Sequence, residues 1–367
     1  MSMKSIINLL FITLSCTNLA PQNMNYFIQN QNASFFSIQE RKNYLSQSTD
    51  PLLKNLTWKN FDCSISEIPD PVSYHLTMSP KLLILDRLGQ ASNPLLYFEN
   101  ETTKLAKMYF LTNRISYANC LVDILYKWAD KKSLSSFSYT DQNQHTWIAV
   151  TKTLAAASMN YSLVKNAVAQ DEKLKIINDW FASRIDLINS FPGNAQTCCD
   201  HNSNWRGLAS MMIAVINNNH SLFSYAIEKY KFAIESLNSN GSFPLEVKQT
   251  NQDIQNQNQA ILPLIYMAEI ASLQGVDLYG FQRRDLNIHS AINFLISHLN
   301  LNKSVKNNSS PNNGLDLISN QEELNWVEPY LQKFPNSKLE KIIKSIRPIE
   351  HRLVGGNSTL YFYRSKI

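Results

Sequence analysis

The sequence predicts an all-α fold of helical hairpins packed in layers. Three observations carry that prediction. From residue 80 onward, apolar residues recur at helical spacing in one stretch after another. Strand-like alternation is scarce until the C-terminal end. The stretches are joined by short polar turns such as Ser190-Phe191-Pro192-Gly193 and Asn240-Gly241-Ser242-Phe243-Pro244.

The elements follow in order. Ile6 to Leu14 is a short apolar run behind Lys4, and Ser15-Cys16 supplies small residues, so residues 1–20 read as an export signal. Cys16 is a candidate lipid-anchoring cysteine. The run is too short to span a bilayer, and no later segment is long and apolar enough to do so. Residues 21–58 are polar and Asn/Gln-rich and read as an N-terminal extension, after which residues 59–367 form one domain. Pro69-Asp70-Pro71 marks its entry. The helical pattern then runs through Phe110–Trp128, Trp147–Val164, Leu174–Ile188, Trp205–Ile216, Leu222–Leu237, Ile261–Ala271 and Ile288–Leu299. Residues 303–315 are a loop by composition, and Ser358–Tyr363 reads as a short extended segment.

Composition excludes several classes. A chain of 367 residues with 44% hydrophobic residues, 6 Trp, 16 Tyr and 17 Phe has a large core to bury and is not intrinsically disordered. Nine glycines, with no GxGxxG and no GxxxxGK[ST], leave little material for phosphate-cradling loops. The net charge of +5 permits an anionic ligand, but no dense Lys/Arg stripe points to nucleic acid. Setting Cys16 aside, Cys63, Cys120, Cys198 and Cys199 remain, an even number that suggests two bridges with three pairings open. Their spacing is not that of a zinc site, the histidines are scattered, and no metal or cofactor is expected.

One stretch concentrates chemistry. Cys198-Cys199-Asp200-His201-Asn202-Ser203-Asn204-Trp205-Arg206 puts an imidazole, an amide, an indole and a guanidinium just ahead of an apolar helix. Asp200, Asn202 or Ser203 can cap that helix, which accounts for those residue types but not for His201, Trp205 and Arg206. An imidazole titrates near neutral pH and can serve as a base; a guanidinium pairs with carboxylates.

Read with Asn240-Gly-Ser-Phe-Pro-Leu-Glu246, Asn258-Gln-Ala-Ile-Leu-Pro-Leu264, Gln274-Gly-Val-Asp-Leu-Tyr279, Trp326-Val-Glu-Pro-Tyr330 and Arg352-Leu-Val-Gly-Gly-Asn-Ser-Thr-Leu-Tyr-Phe362, this stretch resembles the bacterial periplasmic alginate lyases over roughly residues 60–364. The resemblance implies an incomplete (α/α) toroid around a deep cleft, bridges Cys63–Cys120 and Cys198–Cys199, and β-elimination on a uronate polymer. It also implies departures. The family motif Asn-Asn-His-x-Tyr-Trp reads Asp200-His201-Asn202-Ser203-Asn204-Trp205 here, so His and Asn are exchanged. Gln259 stands where the family has its proton-transferring Tyr, and Gln252 where it has an Arg; Lys81 is kept. Gln has no titratable proton, so Gln259 is neither acid nor base. Tyr266, two turns on, lies about 10.5 Å further along the axis and does not replace it.

The expected machinery is therefore His201, Asn202 and Lys81 for catalysis, with Trp205, Arg206, Gln252, Gln259 and Arg352 holding the polysaccharide. A periplasmic or secreted monomer acting on an anionic polysaccharide is the first reading. A non-catalytic glycan-binding or glycan-guiding protein in an exopolysaccharide pathway, in contact with export components, is the second.

Overall fold

A computed structural model describes residues 26–56, 63, 70–71, 93–137, 144–169, 171–191, 199–248, 253–299 and 321–365. The expected signal, Cys16, Lys81, Cys198, Gln252 and the loop at 303–315 lie outside these residues.

Among the described residues eight longer helices form the body: α3 (Pro94–Thr112), α4 (Ile115–Asp130), α5 (Gln144–Val164), α6 (Asp171–Asn189), α7 (His201–Asn217), α8 (His220–Glu235), α9 (Asp253–Ser272) and α10 (Ile288–His298). They come as hairpins, and the hairpins have an inside and an outside. Helices α3, α5, α7 and α9 pack side by side in that order, while α4, α6, α8 and α10 each pack against the helix they follow. The sequence explains the division. Lys152 is the one Lys, Arg, Asp or Glu on α5, and Thr153 to Val164 is buried without interruption; α7 is buried from Asn202 to Ile216. A helix apolar on all sides belongs in an interior layer. By contrast α6 carries Lys173, Lys175, Asp179, Arg184 and Asp186 and buries one stripe. Gly207 on α7 lies against the Met267 side chain of α9, whose Cε would stand 2.9 Å from a Cβ there.

Several polar groups of the inner layer are paired inside the protein. Asn160 Nδ2 donates to Thr102 and Thr103 Oγ1, and the hydroxyls of Ser34 and Ser162 share a bond of 2.6 Å.

The C-terminal part closes over this body. It comprises α11 (Val327–Lys333), α12 (Ser337–Ile343), a two-residue hairpin of β1 (Glu350–His351) and β2 (Gly356–Asn357), and α13 (Ser358–Phe362). Arg347 spans Glu328 and Glu340 with two bonds to each, at 2.6–3.1 Å. The turn at 352–354 rests on α3 and α5.

Three expectations are corrected. The stretch Phe110–Trp128 is two helices, because Asn113 adopts φ 54° at the end of α3 and Asn tolerates that left-handed conformation. Ser358–Tyr363 is not extended: Asn357 caps Leu360 N, and residues 358–362 turn as α13. Nor does the extension stand apart from the domain from Tyr26 onward. Gln274 Oε1 accepts the N–H groups of Gln29 and Asn30, and Phe35 is fully buried among Phe36, Tyr266, Tyr361 and Phe362. Arg41, on α1 (Ile38–Gln47), donates to the carbonyls of Thr359, Leu360 and Tyr363, satisfying the open end of α13; the short α2 (Pro51–Lys54) follows. The Asn/Gln-rich lettering hid two aromatic anchors and one buried guanidinium.

Cys63 and Cys120 are bridged across 57 residues of chain, a closure of about 4 kcal/mol at most in the loop-entropy account. No helix of the described residues is long and apolar enough to cross a membrane. Removing the Phe35 ring by Phe35→Ala is expected to cost about 3–5 kcal/mol, read as a lowered urea midpoint with unchanged slope.

Candidate functional site

The first turn of α7 is held from two sides. Asp200 caps it, accepting Asn202 N at 3.0 Å, and its second oxygen takes Asn202 Nδ2 at 2.9 Å. Burial pushes the Asp200 carboxyl up from its ordinary range, against the opposing pull of His201. The other hold is Glu246. Its Oε1 accepts the His201 backbone N–H at 2.6 Å, and its Oε2 meets His201 Nδ1 at 3.0 Å.

That pair has a defined chemistry. Glu246 is only 4% exposed, and an ionised carboxylate can only accept, so Nδ1 carries the hydrogen and Nε2 of the neutral ring keeps its lone pair. The His201 side chain retains 20% exposure. The result is a carboxylate-oriented imidazole, the arrangement that readies a general base. The loop bearing Glu246 is fixed in turn by buried Gln257 on α9, which accepts from Phe243 N at 2.9 Å and donates to Gly241 O at 3.1 Å. Gly241 has φ 88°, a conformation Gly accepts freely.

Trp205, one turn along α7, is 4% exposed; Lys152 Nζ from α5 stands 5.4 Å from its ring centre and His351 packs at 6.3 Å. Beside them Arg352 Nε donates to Glu99 Oε2 at 2.9 Å, and Glu322 Oε2 lies 3.7 Å from its Nη1. Thr153 holds the other Glu99 oxygen at 2.5 Å. On α9, Gln259 Nε2 donates to Glu323 Oε1 at 2.9 Å, and Gln255 Nε2 shares that oxygen at 3.4 Å. Glu323 Oε2 is buried and has no partner among the described residues, a condition that costs about 1–3 kcal/mol for such a group. Asn204 Nδ2 reaches Ala260 O at 3.1 Å and ties α7 to α9 next to Gln259.

The groups expected from sequence thus divide. His201, Asn202 and Trp205 share the first turns of α7, Gln259 stands on the neighbouring inner helix, and Arg352 lies on the turn over α3 and α5. Arg206 is set apart: it is 2% exposed, donates to Phe191 O at 2.8 Å and lies 5.4 Å from the Trp147 ring centre. Its surroundings are those of a packing residue. Tyr266 is wholly buried with its hydroxyl on Asn325 Oδ1. Cys199 is disulfide-bonded. Sequence reasoning left out Lys152 and Glu323 and read His351 only as one of the scattered histidines, because each is brought in from a distant helix or turn with no local pattern to mark it. Among the described residues no group of His, Cys, Asp and Glu could hold a metal ion.

His351 gives a pH signature. Its Nδ1 accepts Leu353 N at 3.1 Å, and burial, with Arg352 and Lys152 adding to it, pushes its pKa down to about 3. The unfolded chain binds a proton at His351 below about pH 6.5 that the native chain refuses, so stability falls as pH drops from there toward 3, by up to ~1.4 kcal/mol per pH unit from this group. In His351→Asn, where the amide oxygen replaces Nδ1 as acceptor, urea midpoints measured between pH 7 and 4 are expected to fall less steeply.

The alginate lyase family model matches residues 77–305. The alginate lyase of Pseudomonas aeruginosa (strain LESB58) is 25% identical over 274 residues, covering 72% of this chain and 73% of the relative. That of Azotobacter vinelandii (strain DJ) is 23% identical over 273 residues, with 73% of each covered. In structure, alginate lyase A1-III from Sphingomonas species A1 superposes with a TM-score of 0.78 at 26% identity, covering 92% of this chain and 98% of that one. A tyrosine-to-phenylalanine variant of alginate lyase A1-III complexed with a tetrasaccharide gives 0.80. The layered hairpins are therefore an (α/α) toroid, and with a family model spanning more than half of its length this chain belongs to the alginate lyase family.

Proposed function

We propose that this protein cleaves a uronate-containing polysaccharide by β-elimination, with His201 as the base. The observation that carries the reading is the Glu246–His201 pair, placed in the family motif and oriented by a buried carboxylate. In the reaction the C5–H bond breaks to Nε2 of His201, C4=C5 forms, and the C4–O4 bond breaks. The imidazolium so formed holds the proton that the departing O4 requires. Glu246 stabilises that cation at 3.0 Å from Nδ1. The uronate carboxylate must be neutralised for C5–H to acidify; Lys81 is carried over from the family for this, and Lys152 and Arg352 are the cations that stand near Trp205 and His351. Asn202, tied to Asp200, and Trp205 shape the sugar's bed. Arg206 supports α7 from behind. Such a polymer is met outside the cytoplasm, which agrees with the apolar run near the N-terminus and with a periplasmic or secreted monomer working beside export components.

A second reading, glycan binding without cleavage, is favoured by Gln259. The family's Tyr is absent there, and the amide that replaces it has no proton to transfer.

The two readings part on one assay. The purified chain is incubated with a panel of uronate polymers while the absorbance of unsaturated uronate is followed. Elimination predicts a rise that His201→Ala abolishes and that Glu246→Gln slows about 10²–10⁴-fold, since the ring loses its fixed tautomer. No rise on any polymer, with binding that weakens in Trp205→Ala, would sink the lyase reading and establish the second.

A further inference from the structure

Two stretches of the sequence, Gln274–Tyr279 and Trp326–Tyr330, take no part in the reaction above, and their ends meet on α10. Tyr279, Tyr330 and Phe334 surround His289, with ring centres 4.6–6.3 Å from the imidazole, and Tyr330 Oη lies 2.8 Å from His289 Nδ1. This box of rings adjoins a cavity of about 450 Å3 between α10 and the link from α11 to α12. Asn293 and Ser297 of α10 form one wall, and Pro335, Asn336, Ser337 and Lys338 form the other. The box steadies both walls, since Asn293 stands one turn beyond His289 and Pro335 follows Phe334. The cavity belongs to the outer layer, whereas His201 opens the inner helix α7. Its walls have set polarities. Asn336 Oδ1 accepts the N–H groups of Lys338 and Leu339, both at 3.1 Å, so its –NH2 end is turned away from α12. Ser297 Oγ gives its hydrogen to Phe294 O at 2.7 Å, which leaves the oxygen as an acceptor. Lys338 is the one charged side chain of the lining, and no carboxylate lines the cavity among the described residues.

We propose that this cavity is an accessory saccharide site, which holds a uronate unit of the polymer on the outer layer, away from His201. The inference rests on the proposed function for the identity of the polymer and needs no chemistry at His201. A uronate unit presents a carboxylate and hydroxyls. Lys338 Nζ and Asn336 Nδ2 are donors for the carboxylate. Asn293, which both donates and accepts, and Ser297 Oγ serve the hydroxyls, which also do both. Pro335 offers an apolar surface to the C–H face of the ring. The volume lies in the range of small-ligand sites, about 300–1,000 Å3. One sugar in so open a place is held weakly. A polymer seated here and beside Trp205 at once is held more tightly, because its second contact is made within one complex.

The test is electrophoresis of the full chain through gels cast with polymannuronate, read against gels without it. His201→Ala serves as the background, so that the polymer stays whole. Lys338→Ala is expected to weaken the apparent affinity about fivefold, and Asn293→Ala, which leaves the charge unchanged, to weaken it by a similar factor. Lys344→Ala removes the same charge at the far end of α12 and is expected to migrate like the background. All three positions are exposed, so the fold is expected to survive each substitution. Retardation that neither Lys338→Ala nor Asn293→Ala reduces overturns the proposal, and so does an equal loss in Lys344→Ala, which would report net charge alone. The absorbance of unsaturated uronate, followed with the chain that keeps His201, judges the lyase reading separately. Retardation that depends on Lys338 and Asn293 without absorbance keeps the accessory site and sinks the eliminase; absorbance with retardation indifferent to both does the reverse.

Discussion

One buried carboxylate, Glu246, grips both the first backbone N–H of α7 and the imidazole that the same residue carries. Hydrogen bonds to a charged group are worth about 1.5–3 kcal/mol each, and here the two are spent on a single residue. Much else follows from that grip. The loop of Glu246 needs Gly241 to turn and Gln257 to hold it, so α9 has to lie alongside α7. Asn204 then ties the two helices together through the Ala260 carbonyl. The start of α7 is thus a joint between three parts of the chain, and the reactive ring sits at the joint rather than on a loop beside it.

The two layers impose a second constraint. An inner helix has little solvent face on which to leave polar groups, so an Asn, Ser or Thr on it is stable chiefly where it finds a partner inside or faces the site. Asn160 Nδ2, Ser162 and Thr153 find partners. His201, Lys152, Gln255 and Gln259 remain partly exposed near the inner layer. Polar residues on inner helices are therefore informative in a way that those on α6 or α8 are not.

Much of this was legible in the letters, for a physical reason. Helices such as α5 and α7 announce themselves through apolar residues at helical spacing, and Asp200 before His201 is a cap that reads directly. What the letters did not show is which distant carboxylate meets which ring or amide. Glu246 lies 45 residues from His201, and Glu323 lies 64 from Gln259. Arg206 illustrates the opposite error. A charged residue beside a motif invites a functional reading, yet its place on the helix turns it toward Trp147 and Phe191, where it is packed. Residues 26–36 mislead for a third reason: their composition is that of a tether, but two adjacent Phe side chains decide where they go.

The contact between Arg41 and α13 also bears on how the protein comes into being. Thr359, Leu360 and Tyr363 supply the carbonyls that accept from the desolvated guanidinium, and the rings of Tyr361 and Phe362 cover Phe35. During synthesis Arg41 emerges 319 residues ahead of Leu360, one of its partners. Until those partners follow, Phe35, Phe36 and Arg41 have no place to go. The body of hairpins can assemble progressively, but its seam is sealed only when α13 arrives. A chain cut before residue 358 would expose an aromatic pair and a buried-type arginine more than 300 residues from the cut, a mark by which quality control could tell it from the intact fold.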